Sequence, residues 1–141
     1  MARRKRPVVG IIGNSYLIND SYPAHSSGTM NTAAVAEVSG CLPLIIPSDP
    51  RYVAVEELLQ LCDGFLLTGG RPNVHPHEYG EDETEAHGAF DRARDAIALP
   101  LVRACLQQSR AIEAVEAQDG ERILIWSFIP DIAERRVLAR C

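Results

Sequence analysis

The sequence predicts an α/β domain built on a parallel sheet, and three observations carry that prediction. Apolar runs at Pro7–Gly13, Leu42–Pro47 and Gly64–Leu67 are near-continuous rather than alternating, as in strands buried on both faces. Segments of helical spacing lie between and after them. The third run ends abruptly in Thr68-Gly69-Gly70 and a polar loop, the way such a strand opens into a site at its carboxyl end. At 141 residues the chain suits one domain with a real core and is short for two.

Taken in order, Pro7–Gly13 is the first strand, and the polar, irregular residues 14–27 are expected to cross the end of the sheet as a loop. Thr29–Ser39 reads as a helix with Ala33, Ala34, Val35 and Val38 on its apolar face and Gly40 as its C-terminal cap. Leu42–Pro47 is the second strand. Ser48 or Asp49 can cap a following helix, whose inner side takes Val53, Val55, Leu58, Leu59 and Cys62. Gly64–Leu67 is the third strand. Phe90–Gln107 is a helix with Phe90, Ala93, Ile97, Leu101 and Leu106 at roughly helical spacing, and Pro100 is expected to kink it. Three β-α repeats in a row imply right-handed crossovers. Beyond Gln108 the pattern changes. Ala111–Ala117, the turn at Gln118-Asp119-Gly120 and Arg122–Ile129 predict a hairpin in place of the next buried strand, and Ile132–Arg140 predicts a short helix. The chain thus divides into a basic tail (1–6), the α/β body (7–108) and a remnant of the same domain (109–141).

Composition narrows the function classes. With 46% hydrophobic and 23% charged residues, the chain looks like an ordinary globular protein. A net charge of −5 argues against a nucleic-acid partner, and the cluster Arg3-Arg4-Lys5-Arg6 is short enough to be a solvated terminus. No window is long and apolar enough to span a bilayer and no signal peptide is evident, so the expectation is no membrane partner and a cytoplasmic location. Cysteines at 41, 62, 105 and 141 have no CxxC or His-Cys spacing, which gives a zinc site little support. The first three lie among apolar neighbours and read as small core residues.

The stretch Asp63–Gly80, DGFLLTGGRPNVHPHEYG, is where the chemistry is expected. Adjacent glycines carry no Cβ, so their N–H groups can approach a ligand oxygen or a developing negative charge. His75 and His77, with Glu78 and Glu81 nearby, could in principle hold a metal, but His-Pro-His in a loop is a weak signal.

PVVGI near the start, the helix ending in SGCLPLIIP, the TGGRPNVHPHEYG loop and FDRARDAIALPLVRACL together resemble the N-terminal half of the γ-glutamyl-γ-aminobutyrate hydrolase family. These are class I glutamine amidotransferase-like proteins, also grouped as a cysteine peptidase family. The likeness covers about residues 7 to 108. It implies a flavodoxin-like α/β/α sandwich, hydrolysis of linear γ-glutamyl amides without a cofactor or metal, and a place in putrescine or polyamine catabolism. In that family a cysteine on a strand-to-helix elbow attacks the γ-carbonyl, with a histidine as base and a glutamate orienting it. By position, Gly69 and Gly70 correspond to the oxyanion-side loop, while Asn73, His75, His77 and Tyr79 shape the substrate wall. The competing reading is that this loop only packs and turns.

The resemblance breaks where the nucleophile belongs. After the last helix the family has an apolar strand and a glycine-flanked G-I-C-R-G type elbow; this chain has Gln107-Gln108-Ser109-Arg110-Ala111. Cys105 falls on the helix, where no elbow exposes it. IEAVEAQDG resembles a late family strand that leads to V-Q-W-H-P-E, and counting on aligns Ser127-Phe128-Ile129-Pro130-Asp131 with its end. Asp131 then stands as a remnant of the triad acid and Ile129 in place of the base, and isoleucine accepts no proton. A large deletion, a degenerate copy or a mis-joined gene model would each give this sequence. The expectations are a truncated hydrolase without catalysis, or a pseudoenzyme that binds γ-glutamyl compounds. Removing central strands also exposes apolar surface, which implies a homo-oligomer or association with an intact paralogue.

Overall fold

A computed structural model describes residues 6–69 and 72–108 in full and the backbone of 111–114. Four parallel strands form one sheet: β1 (Val8–Ile12), β4 (Leu42–Ile46), β5 (Gly64–Leu67) and β6 (Ala111–Ala114), in the spatial order β4-β1-β5-β6. Val8 pairs with Leu42 on one side of β1, and Val9 with Gly64 on the other. The chain leaves β1 toward β4, then returns across β1 to lay down β5. The order therefore reverses between β1 and β5, and the crevice at their carboxyl ends is the topological switch point where ligands of such sheets bind. This is the predicted flavodoxin-like α/β architecture.

The alternation of side chains sorts the core into two layers. Val8, Ile12 and Phe65 point to the face covered by α2 (Val55–Leu61) and α3 (Arg92–Gln107), packing on Leu58, Leu59, Cys62, Ile97, Leu101 and Cys105. Ile11 and Leu66 point to the opposite face, against Val35 and Cys41. Gly10 lies on the α2/α3 face because Phe65 occupies the space above it; a Cβ there would sit 2.9 Å from the ring. On β4, the Leu42 N–H donates to Pro7 and the Ile46 carbonyl accepts from Gly13, so Leu42, Leu44 and Ile46 face β1. The main-chain groups of Pro43 and Ile45 then face the side of β4 that is unpaired among the described residues, where proline offers no donor to an incoming strand.

Several local expectations are corrected. Residues 14–27 are not an irregular loop: β2 (Asn14–Ile18) and β3 (Tyr22–Ser26) form an antiparallel hairpin, turning at Asn19 and Asp20 with φ of 51° and 55°. These two residue types tolerate the left-handed region better than most, so the turn needs no glycine. The helix from Thr29 splits into α1 (Thr29–Ala33) and a π-type turn (Ala34–Val38). Val35 alone of its predicted apolar face is buried, while Gly40 takes the expected positive φ of 67°. Neither Ser48 nor Asp49 caps α2. Its first residue follows Ala54, whose N–H donates to the Glu57 carboxylate, and Asp49 instead receives Arg51. In α3 the residue buried one turn beyond Leu101 is Cys105, four positions on, and Leu106 is exposed. Pro100 lies inside that helix, which continues to Gln107.

The end of the body also differs. Ala111–Ala114 pairs parallel with β5, Phe65 opposite Ile112, so the alternating pattern runs one strand further than the sequence predicts. The predicted hairpin turn, its second limb and the short helix lie outside the described residues. Arg6, counted with the basic tail, donates from Nε to the Gly40 carbonyl at 3.1 Å and also holds the Cys41 carbonyl. It ties the β4 entry to the start of β1. Among the described residues no helix is long and apolar enough to cross a membrane.

Candidate functional site

β5 delivers Thr68 and Gly69 to the switch point, and Thr68 is fixed there from three directions. Its Oγ1 donates to the Ile12 carbonyl at 3.3 Å and accepts from Asn14 Nδ2 at 3.4 Å. Its own carbonyl accepts from the Arg94 guanidinium. The side chains of Thr68 and Asn14 are both buried, and Asn14 Oδ1 has no hydrogen-bond donor among the described residues. Gly69 follows, half-buried; its neighbours Gly70 and Arg71 lie outside the described residues.

The first turn of α3 organises what surrounds this point. Asp91 is the N-cap: Oδ1 accepts from the Arg94 N–H at 3.0 Å, and Oδ2 accepts from the Ser15 N–H at 3.1 Å, tying β2 to the helix. One turn later, the buried Asp95 accepts from the His75 N–H at 3.0 Å. Burial lowers the Arg94 guanidinium below its ordinary value, opposed by the charges of Asp91 and Asp95. It stays a cation at neutral pH. The D-x-x-R-D signature is therefore a clasp that reaches β2, the Thr68 carbonyl and the loop at His75. The sequence shows the signature but not its role, because each bond joins residues far apart in the chain.

The loop from Pro72 to Phe90 is closed on itself. The Asn73 N–H donates to the Ala89 carbonyl at 2.9 Å, and its Nδ2 to the His87 carbonyl at 2.6 Å. His75 packs on Phe90, ring centroids 4.6 Å apart, accepts from the His77 N–H through Nδ1 at 3.3 Å, and lies 3.6 Å from Glu83. Pro76–Tyr79 is a single 3₁₀ turn ending at Gly80. His77 is exposed, and Tyr79 is half-exposed beside His87. Of the predicted wall, Asn73 and His75 are thus engaged in holding the loop, while His77 and Tyr79 face solvent. Among the described residues no three His, Cys, Asp or Glu side chains are grouped to hold a metal.

The thiols within the described residues are all in the core. Cys41, Cys62 and Cys105 are buried, Cys105 completely, on the inner side of α3. Burial pushes the Cys41 thiol up, with Arg6 opposing. Asp131 and Ile129 lie outside the described residues.

Known proteins are similar to this chain in sequence. A Peptidase C26 family model matches residues 7–117. The γ-glutamyl-γ-aminobutyrate hydrolase of Escherichia coli O157:H7 is 29% identical over 114 residues, covering 77% of this chain and 42% of that protein. PuuD of E. coli K12, also named a γ-glutamyl-γ-aminobutyrate hydrolase, is 28% identical over the same length and coverage. The putative glutamine amidotransferase-like protein YvdE of Lactococcus lactis subsp. lactis is 29% identical over 112 residues, covering 77% of this chain and 47% of YvdE. The chain spans less than half the length of these relatives. Because the family model takes in well over half of the 141 residues, including Thr68, Gly69 and the Asp91–Asp95 clasp, the chain belongs to the Peptidase C26 family.

Proposed function

We propose that this chain supplies the oxyanion and substrate-wall half of a γ-glutamyl amide hydrolase site and binds γ-glutamyl compounds without cleaving them. The binding half is the Thr68–Gly69 segment at the switch point, with Gly70 next in sequence and Asn73, His75, His77 and Tyr79 on the loop that follows. The names of its relatives supply the substrate class. The observation that carries the non-catalytic reading is the setting of the thiols. Hydrolysis by this route needs a thiolate at the carboxyl end of the strand after α3, within reach of a base. Here that strand is β6, the four residues after it are Val115-Glu116-Ala117-Gln118, and Cys105 lies in the core on α3.

Isothermal titration with γ-glutamyl-γ-aminobutyrate, alongside hydrolysis of γ-glutamyl-p-nitroanilide, tests the proposal. Saturable binding with no turnover supports it. Turnover abolished by Cys105→Ser would overturn it.

A second reading, association with another copy or with an intact paralogue, is favoured by the β2–β3 hairpin. Tyr16, Leu17, Ile18 and Tyr22 are all about half exposed or more on it, and residues 14–28 contain Asp20 as their one acidic residue and no lysine or arginine. Analytical ultracentrifugation checks it: a monomer at tens of micromolar protein counts against self-association.

A further inference from the structure

We infer that Arg94 is a positioning residue that sets the direction of the Gly69 N–H, an inference that rests on the reading of Gly69 as the oxyanion-side donor. Thr68 C=O and Gly69 N–H belong to one planar trans peptide unit, so the two bonds point in opposite directions. Arg94 reaches up from the first turn of α3 and donates to the Thr68 carbonyl. The carbonyl is thereby aimed at α3, and the Gly69 N–H is aimed away from the helix, from the opposite edge of the same peptide plane.

A peptide before a glycine needs such a lock. Glycine populates both signs of φ, so the Thr68–Gly69 unit can rotate as a whole at little steric cost. Rotated, it would present a carbonyl oxygen where the oxygen of a bound ligand needs a donor, turning attraction into repulsion. The Thr68 side chain is held separately, by Ile12 and Asn14, which anchors the residue but leaves the following peptide free to turn. Arg94 acts on the peptide itself.

The guanidinium is in turn built into the fold. Asp91 accepts from the Arg94 main-chain N–H and from the Ser15 N–H, fixing the turn that carries the side chain, and Asp95 sits one residue further on, accepting from the His75 main-chain N–H. Both carboxylates raise the charge preference of the buried cation against the cost of its burial. A planar guanidinium fork holds a carbonyl in one direction, which a lysine ammonium on a flexible stem does less well. The clasp therefore does more than hold loops: it fixes one dipole at the switch point.

The test reads the peptide directly in the full chain. Thr68–Gly69 is the one Thr-Gly pair in the sequence, so protein labelled with carbonyl-¹³C threonine and ¹⁵N glycine gives a single HNCO cross-peak. In the native protein that peak should be single and sharp. In Arg94→Ala the Thr68 carbonyl should move upfield as it loses its donor, the peak should broaden or split as the peptide samples two directions, and added guanidinium chloride at low millimolar concentration should restore it. A general loss of packing would not be repaired by that ion. Arg94→Ala that keeps a cooperative melt and an unchanged peak overturns the inference. If Arg94→Ala does not fold, Arg94→Lys decides between the outcomes: a displaced peak supports the lock and an unchanged one overturns it. Titrating γ-glutamyl-γ-aminobutyrate into the native labelled protein is read separately. An unmoved Gly69 amide there would count against the donor role, while the variant series still decides the lock.

Discussion

The buried carboxylate of Asp95 accepts the main-chain N–H of His75 at 3.0 Å, joining the long loop to α3 across twenty residues of sequence. A charged acceptor inside the fold makes this bond costly to lose. It sets where the loop stands over the end of β5.

Replacing Asp95 should therefore loosen the loop as well as the fold. Asp95→Ala should cost about 1–3 kcal/mol, the range for leaving a buried group without its partner, whereas Asp95→Asn, which keeps an acceptor oxygen, should cost less. Urea titration gives the energies, and limited proteolysis should show new cleavage between Pro72 and Phe90 in the alanine variant.

Asp91 holds two elements at once. Asp91→Ala should cost about 1–2 kcal/mol for the lost cap alone. Asp91→Ser can still accept from the Arg94 N–H, and should recover most of that cost while leaving Ser15 without its acceptor. Amide exchange at Ser15 separates the two roles: it should speed up in both variants.

Gly10→Ala should destabilise the domain by about 1–3 kcal/mol through overpacking, since its Cβ would press on the Phe65 ring in the best-filled layer of the core. Adding Phe65→Leu to Gly10→Ala should relieve part of the strain. Melting temperatures of the four combinations measure the coupling, and strict additivity would refute the contact.

Hydrogen bonds from the Arg51 side chain hold the Asp49 carboxyl down to about 2. Its unfolded value is about 3.9. Because the folded value is the lower one, the stabilisation is fully present above about pH 4 and is lost as pH falls toward 2. Asp49→Asn should flatten the dependence of the urea midpoint on pH between 4 and 2 and leave its slope near pH 7 unchanged.

Cys41, Cys62 and Cys105 should resist Ellman's reagent in the native protein and react on unfolding in guanidinium chloride. Fast, stoichiometric labelling of Cys105 in the native state would contradict its place on the inner side of α3.

How much of the fold and the site is legible in the sequence follows from how local each signal is. Val8–Ile12, Leu42–Ile46 and Gly64–Leu67 announce themselves by continuous apolar sequence, and α3 by Ile97 and Leu101 one turn apart. The β2–β3 hairpin is hidden because its turn uses Asn19 and Asp20 rather than glycine, and because Pro23 interrupts a strand that is open to solvent. β6 is hidden because Ala111–Ala114 is only four residues, interrupted by Glu113, and so resembles a half-exposed limb. Gly69 follows β5 directly, at the carboxyl end of the sheet. The clasp does not show, because nothing in the spacing of Asp91, Arg94 and Asp95 reveals that their partners are Ser15, Thr68 and His75.

Pro43, on the outer edge of β4, limits how this protein can misassemble. A sheet grows into a fibre by adding strands edge to edge, and each addition needs a ladder of backbone donors facing outward. On β4 that ladder holds Pro43 and Ile45, and only one of the two can donate. Stacking from this side stalls at its first rung. Pro43→Ala would restore the rung, and on heating should turn a largely amorphous precipitate into one that binds thioflavin T.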